Sequence, residues 1–217
     1  MSALRFWLLL FVAAVLSALP LIGLPLRWAG TFFHELSHGL MAAATGGDIV
    51  RIVLRTDGSG LCVFTGGWGV PVAFAGYAGA PLWGLGIFAL ASGDSQRDDA
   101  PILAGLLGGT VAITALLYAR DAVTIVISAL LVALLLLPLR RRWRNGRALQ
   151  AGLEVLGLAV MLDAVQAPLA LFGLSGRHDG ADLAAHTWLP APLWAGLWCV
   201  LAGACLWLAW RRVRALR

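Results

Sequence analysis

The chain has 217 residues, of which 60% are hydrophobic and 12% charged, and its mean hydropathy is +0.86. That composition excludes an ordinary water-soluble globular domain and points to a polytopic membrane protein in contact with the lipid bilayer. The formal net charge of +5 does not imply nucleic acid as a partner: all sixteen basic residues are arginine, and they concentrate at segment ends, in Arg140 to Arg147 and Arg211 to Arg217, where they mark cytoplasmic boundaries and contacts with anionic lipid.

Seven apolar segments can be drawn along the chain, at roughly 4–26, 28–45, 70–91, 101–118, 121–138, 149–172 and 188–210. Most reach 18 residues, enough to cross about 30 Å of hydrocarbon, and one of them need not cross fully. The expected fold is an all-α polytopic membrane protein of about six or seven transmembrane helices, forming a single domain over 1–217. The first segment holds Pro20 and Pro25, which suit a retained, kinked span better than a cleaved signal peptide. Trp143, Trp188, Trp194 and Trp210 are expected interfacial anchors.

Within the second segment, about 28–45, stands His34-Glu35-Leu36-Ser37-His38. The two histidines are four residues apart, on one helical face, where both can reach a single Zn²⁺. Glu35 can then act as general base on a zinc-bound water. Three ionisable groups in one turn of an apolar helix cost about 2–3 kcal/mol each on insertion scales, so a purely structural role is a poor explanation. A polar cavity is required around them, with Thr31, Ser37 and Thr45 as expected lining.

The one departure from helix is about 48–65. Ile49 to Arg55 alternates in character, Asp57-Gly58-Ser59-Gly60 turns, and Leu61 to Thr65 returns, which predicts a β-hairpin directly after the motif helix. Such a strand pair could hold an extended peptide by edge pairing. Gly76-Tyr77-Ala78-Gly79-Ala80-Pro81, with Gly84 and Gly86 beyond, is a run of small residues suited to close packing against the motif helix. Tyr118 to Asp121 predicts a tight turn between two helices. Cys62, Cys199 and Cys205 lack ligand spacing and read as packed thiols.

Catalytic zinc usually takes three protein ligands, so one is missing from the motif. Asp163 lies deep in the segment at about 149–172, where a bare carboxylate needs a cation, and it is the first choice for third ligand. Asp179, in the polar stretch His178-Asp179-Gly180 before the last segment, is the alternative; helix capping is the commoner role for it and for Asp182. His178 and His186 read as loop residues, Glu154 as an interfacial partner of Arg147 or Gln150, and Asp94, Asp98 and Asp99 as a solvated loop.

Taken together, His34 to Gly47, the hairpin with Asp57 to Gly60, Gly76 to Pro81, the deep Asp163 and the His178-Asp179-Gly180 stretch resemble the site-2-protease type of intramembrane metallopeptidase, the M50 family, and within it the M50B-like branch. The resemblance spans roughly residues 28 to 200, and its specific part is the HExxH motif. It implies a zinc-dependent endopeptidase that cuts transmembrane segments of other membrane proteins. His34 and His38 would bind zinc, Glu35 would activate water, and a later aspartate would be the third ligand. The Asn-Pro-rich stretch that carries this aspartate in better-known members is absent, as is an inserted peptide-binding domain. A bacterial cytoplasmic membrane, with the 140–147 cluster and the C-terminus inside, is the expected location. Two other classes compete: a metal-binding membrane protein without protease activity, and a small transporter coupling protons or cations through the same residues. The two halves of the chain show no self-similarity, which weighs against the transporter.

Overall fold

A computed structural model describes residues 2–93, 99–140, 146–171 and 178–215. Its elements are α1 (Ala3–Ala18), α2 (Leu24–Ala44), β1 (Asp48–Leu54), β2 (Gly60–Thr65), α3 (Gly69–Ala91), α4 (Asp99–Tyr118), α5 (Ala122–Leu136), α6 (Gly146–Ala170), α7 (Asp179–His186) and α8 (Ala191–Ala215), with one 3-10 turn at Leu137–Leu139 after α5. Helices α3, α4, α6 and α8, and α5 extended by its 3-10 turn, are long and apolar enough to cross a membrane, and α1 is a shorter apolar helix of 16 residues. The expected helical membrane protein with one hairpin after the motif helix is what the chain forms. Asp94, Asp98, Trp143 and the residues just before His178 lie outside the described residues.

The expected boundary between the first two segments moves. Instead of a kinked span reaching residue 26, α1 stops at Ala18 and α2 begins at Leu24 with Pro25 in its first turn. Proline lacks an N–H to donate, and a helix N-terminus is where that donor is not needed. Pro20 falls in the turn between the two helices. At the other end of the chain, the polar stretch before the last segment forms the short helix α7, and the last span begins at Ala191.

Close approach of helices follows the glycines. A Cβ at Gly84 would lie 2.7 Å from the Gly157 carbonyl oxygen, and one at Gly157 equally close to the Gly84 oxygen, so α3 and α6 cross backbone to backbone. Helices α6 and α8 run antiparallel: Cys199 Sγ reaches the Val165 carbonyl, while Leu158 and Ala159 share a buried cluster with Cys205, Ala209 and Val213. Arg147 at the start of α6 and Arg211, Arg212 and Arg214 at the end of α8 therefore stand at one end of the molecule. Phe6 of α1 is buried in the same cluster.

The start of α1 is tied to α6 by an ion pair. Arg5 Nη2 lies 2.7 Å from Glu154 Oε2, and the Glu154 side chain has no solvent exposure. Gln150 donates to Glu154 and to the Ala91 carbonyl. Gln150 was an expected partner of Glu154; Arg147 was not needed, because Arg5 takes that place.

The hairpin pairs β1 and β2 antiparallel, with an irregularity between Ile49 and Arg51. Its far end is held at two points. Trp28 Nε1 donates to the Arg55 carbonyl, and the Leu54 amide donates to Thr124 Oγ1 at 2.9 Å. Thr124 in turn donates to Asp121, the N-cap of α5, whose carboxylate also accepts from the Thr124 amide. This is the tight turn expected after Tyr118. Return from β2 to α3 uses Gly66 and Gly67 at φ 70° and 77°, a left-handed backbone that side chains disfavour.

Candidate metal centre

Three elements converge on the two motif histidines. Helix α2 carries them, α3 packs against them, and α7 brings an acid from the far end of the chain. His34 Nε2 and His38 Nε2 are 3.0 Å apart, and Asp179 Oδ2 lies 3.2 Å from each. Among the described residues these three form the metal-competent group, with ligand atoms all within 4.8 Å of one another.

The donor set suits a zinc ion. His38 Nδ1 lies 2.7 Å from the Val72 carbonyl, and a carbonyl only accepts, so the proton sits on Nδ1 and leaves the Nε2 lone pair facing the cluster. Two imidazole nitrogens and a carboxylate oxygen turned to one point need a cation between them. Ligands about 2.0–2.1 Å from a tetrahedral zinc stand roughly 3.3 Å apart, close to the spacing here. Space for such an ion is kept by Gly76, where a Cβ would meet His38 Nε2 and lie 2.6 Å from His34 Nε2.

Glu35 is buried on the adjoining face of α2, 6% exposed, beside the first residues of β2. The Cys62 amide points to its carboxylate. Gly60 permits the approach, since a Cβ there would lie 2.8 Å from Glu35 Oε1. The hairpin thus fixes the carboxylate from outside α2.

Asp163 is placed elsewhere. It faces Gly30, one turn before His34, with its Oδ2 2.9 Å from where a Gly30 Cβ would stand. It lines the cavity with Arg27 and lies outside the three-donor cluster. Of the two aspartates that the sequence leaves in play, the fold brings Asp179 to the histidines, because α7 packs against α3 and α8 with its first residue turned to α2.

A cavity of about 650 Å³ surrounds these groups, lined by α2, the hairpin, α3, α6 and α7. Its size is in the usual range for a ligand site, roughly 300–1,000 Å³. Thr31 lines it; Ser37 and Thr45, also expected there, do not. Ser37 bonds the Phe33 carbonyl and receives Trp83 Nε1, and Thr45 caps the end of α2 and accepts from the Trp68 amide. His178 and His186 lie on the rim of the cavity, His178 as N-cap of α7. A second, apolar cavity of about 320 Å³ lies among α2, α4, α5 and α6 and touches none of His34, Glu35 and His38. Burial, helped by the Glu35 charge, pushes the Cys62 thiol up to about 12, so it stays a protonated packing group.

The Peptidase M50B-like family matches residues 7–209. The chain belongs to this family. No curated protein and no solved structure matches the chain. Membership of this family, with the helical membrane architecture, places the chain among M50-type membrane proteins. The close approach of Gly76 follows the packing expected of its small-residue run, whereas the contributions of Val72 and Gly60 were invisible in the sequence, because each depends on which backbone comes to lie beside α2.

Proposed function

We propose that this M50B-like protein is a zinc-dependent intramembrane endopeptidase that hydrolyses peptide bonds in or near transmembrane segments of other membrane proteins. The observation that carries the reading is the cluster of His34, His38 and Asp179, with buried Glu35 beside it on a motif helix. His34, His38 and Asp179 hold the metal. Bound there, zinc supplies a Lewis acid for the scissile carbonyl and lowers the pKa of water towards about 7.

Glu35 is the general base and then the general acid. Its carboxylate takes a proton from the attacking water and returns it to the leaving amine nitrogen. The Cys62 amide keeps that carboxylate aimed while it exchanges the proton. Helix α2 cannot offer backbone groups to a substrate, since its own peptide bonds are paired internally. The side of β2 that faces the cavity, Gly60 to Phe64, is where an extended peptide would pair as a further strand. The arginine-rich ends of α6 and α8 belong on the cytoplasmic side.

The test is metal content of the purified protein in detergent, joined to a comparison of membrane-protein fragments from cells carrying wild type or Glu35→Gln. About one zinc per chain in both, with fragments only in wild type, supports the reading. Absence of zinc after reconstitution, or fragments that persist with Glu35→Gln, overturns it and favours a non-hydrolytic membrane protein.

A further inference from the structure

The wall of the cavity facing the metal cluster is one face of α3: Gly69, Val72, Ala73, Tyr77 and Ala80 line it, at helical spacing. Val72 and Gly76 serve the histidines, as described above. Tyr77 has no role in that arrangement, yet its ring is contacted by two others. Its ring meets His34 edge to face, with centroids 4.4 Å apart, and lies against Trp198 at 4.7 Å. Trp198 is itself buried and anchored through Nε1 to the Phe74 carbonyl.

The hydroxyl at the tip of this ring has no hydrogen-bond partner among the described residues. Among the described residues with a hydroxyl on the cavity wall, Thr31 donates to the Gly58 carbonyl and Ser59 to Asp57. Tyr77 Oη bonds to none of them, while lying within electrostatic reach of Asp179, Glu35 and Asp163. Tyr77 is partly buried and lines the cavity, with the polar tip of its ring free to bond. The groups around it are the metal-competent cluster, the Glu35 carboxylate and open cavity, so a molecule that enters can supply its partner. The three carboxylates can only accept when ionised, and a peptide carbonyl that gains negative charge during hydrolysis needs a donor.

We propose that Tyr77 is a catalytic residue of the hydrolysis, its Oη–H donating a hydrogen bond to the carbonyl oxygen of the scissile peptide as that oxygen becomes an oxyanion. The phenol keeps its proton throughout; the bond strengthens as charge develops and weakens when the carbonyl re-forms. A donor that acts this way stabilises the transition state more than the bound substrate. The assignment rests on the metallopeptidase reading.

Tyr77→Phe removes the hydroxyl and leaves the ring contacts with His34 and Trp198 in place. The zinc-loaded wild type and this variant are compared, in detergent, for binding of two short pseudopeptides of leucine and alanine. One carries a tetrahedral phosphinate at the scissile position, and its all-carbon isostere carries –CH₂–CH₂– there. Wild type is expected to favour the phosphinate, and Tyr77→Phe to shrink that preference by about 10- to 100-fold with zinc content unchanged. An unchanged preference, an equal loss for both ligands, or loss of zinc overturns the role given to Tyr77. A wild type that binds zinc yet shows no preference for the phosphinate overturns the hydrolase reading, and Tyr77's role with it.

Discussion

Gly76 lies so close to His34 that a methyl group at position 76 would sit 2.6 Å from the imidazole Nε2. The same methyl would press on His38 Nε2, so one missing side chain on α3 keeps open the point where both nitrogens converge. Gly76→Ala is expected to weaken zinc binding by at least about 10-fold, measured by competition with a chelator, while the helical signal stays unchanged. Alanine is otherwise the better helix former by about 1 kcal/mol, so the loss cannot come from α3 itself. A Gly76→Ala protein with wild-type zinc affinity would remove the glycine from the site.

The two aspartates give opposite expectations. Asp179→Ala takes away one of three converging donors, and zinc content should fall well below one per chain. Asp163→Asn changes a carboxylate that stands one helical turn away, against Gly30, and zinc content should remain near that of wild type. Zinc lost with Asp163→Asn and kept with Asp179→Ala would reverse the assignment of the third ligand.

How much of this was legible in advance depends on whether a feature is local. The HExxH spacing, the hairpin and the small-residue run of α3 are local patterns, and each forms where the sequence puts it. The third donor is not local. Depth alone favoured Asp163, since a carboxylate in mid-helix needs compensation, but the direction in which α6 turns it is set by packing at Gly84 and Gly157. Asp179 reads as a helix cap and does begin a helix; nothing in its neighbours says that this helix packs on α3 with Asp179 turned to the histidines. Ser37 was misread for a related reason: its hydroxyl satisfies the Phe33 carbonyl within its own helix and faces Trp83 rather than the cavity.

The Arg5–Glu154 pair should be stabilising only while both members are present. Arg5→Met leaves the fully buried Glu154 carboxylate without its cation, which should cost roughly 3 kcal/mol, at the low end for a broken buried pair because Arg5 is 39% exposed. Arg5→Met combined with Glu154→Met should regain much of that stability, read as Tm in detergent. A double variant no more stable than Arg5→Met would mean that the cost lay in packing of α1.

Thr124 links the hairpin to the start of α5 through one hydroxyl, and Asp121 orients that hydroxyl. The Thr124 amide and hydroxyl, donating to the Asp121 carboxylate, hold its pKa below the usual carboxylate range. A depressed pKa contributes stability above the unfolded value, near 3.9, and loses it as pH falls through the folded one. Asp121→Ala should therefore lower Tm at pH 7, by the equivalent of about 1 kcal/mol for a lost N-cap, and the gap from wild type should narrow below about pH 4. A gap that widens on acidification would contradict the role given to this carboxylate.

Thr124→Val keeps the shape of the side chain and removes the acceptor for the Leu54 amide. Hydrogen exchange at Leu54 should quicken, with the remaining hairpin amides following to a smaller degree. Unchanged exchange at Leu54 would show that its protection comes from burial alone.

Arg5 and Glu154 are separated by 149 positions, and that distance has a meaning during biosynthesis. A ribosome adding about 5–20 residues per second exposes Arg5 many seconds before Glu154 exists. For that interval the first helix carries a lone guanidinium that favours the headgroup layer over hydrocarbon. Its matching acid arrives only with the sixth helix, so a chain stalled before α6 would carry Arg5 without the partner it has in the finished fold.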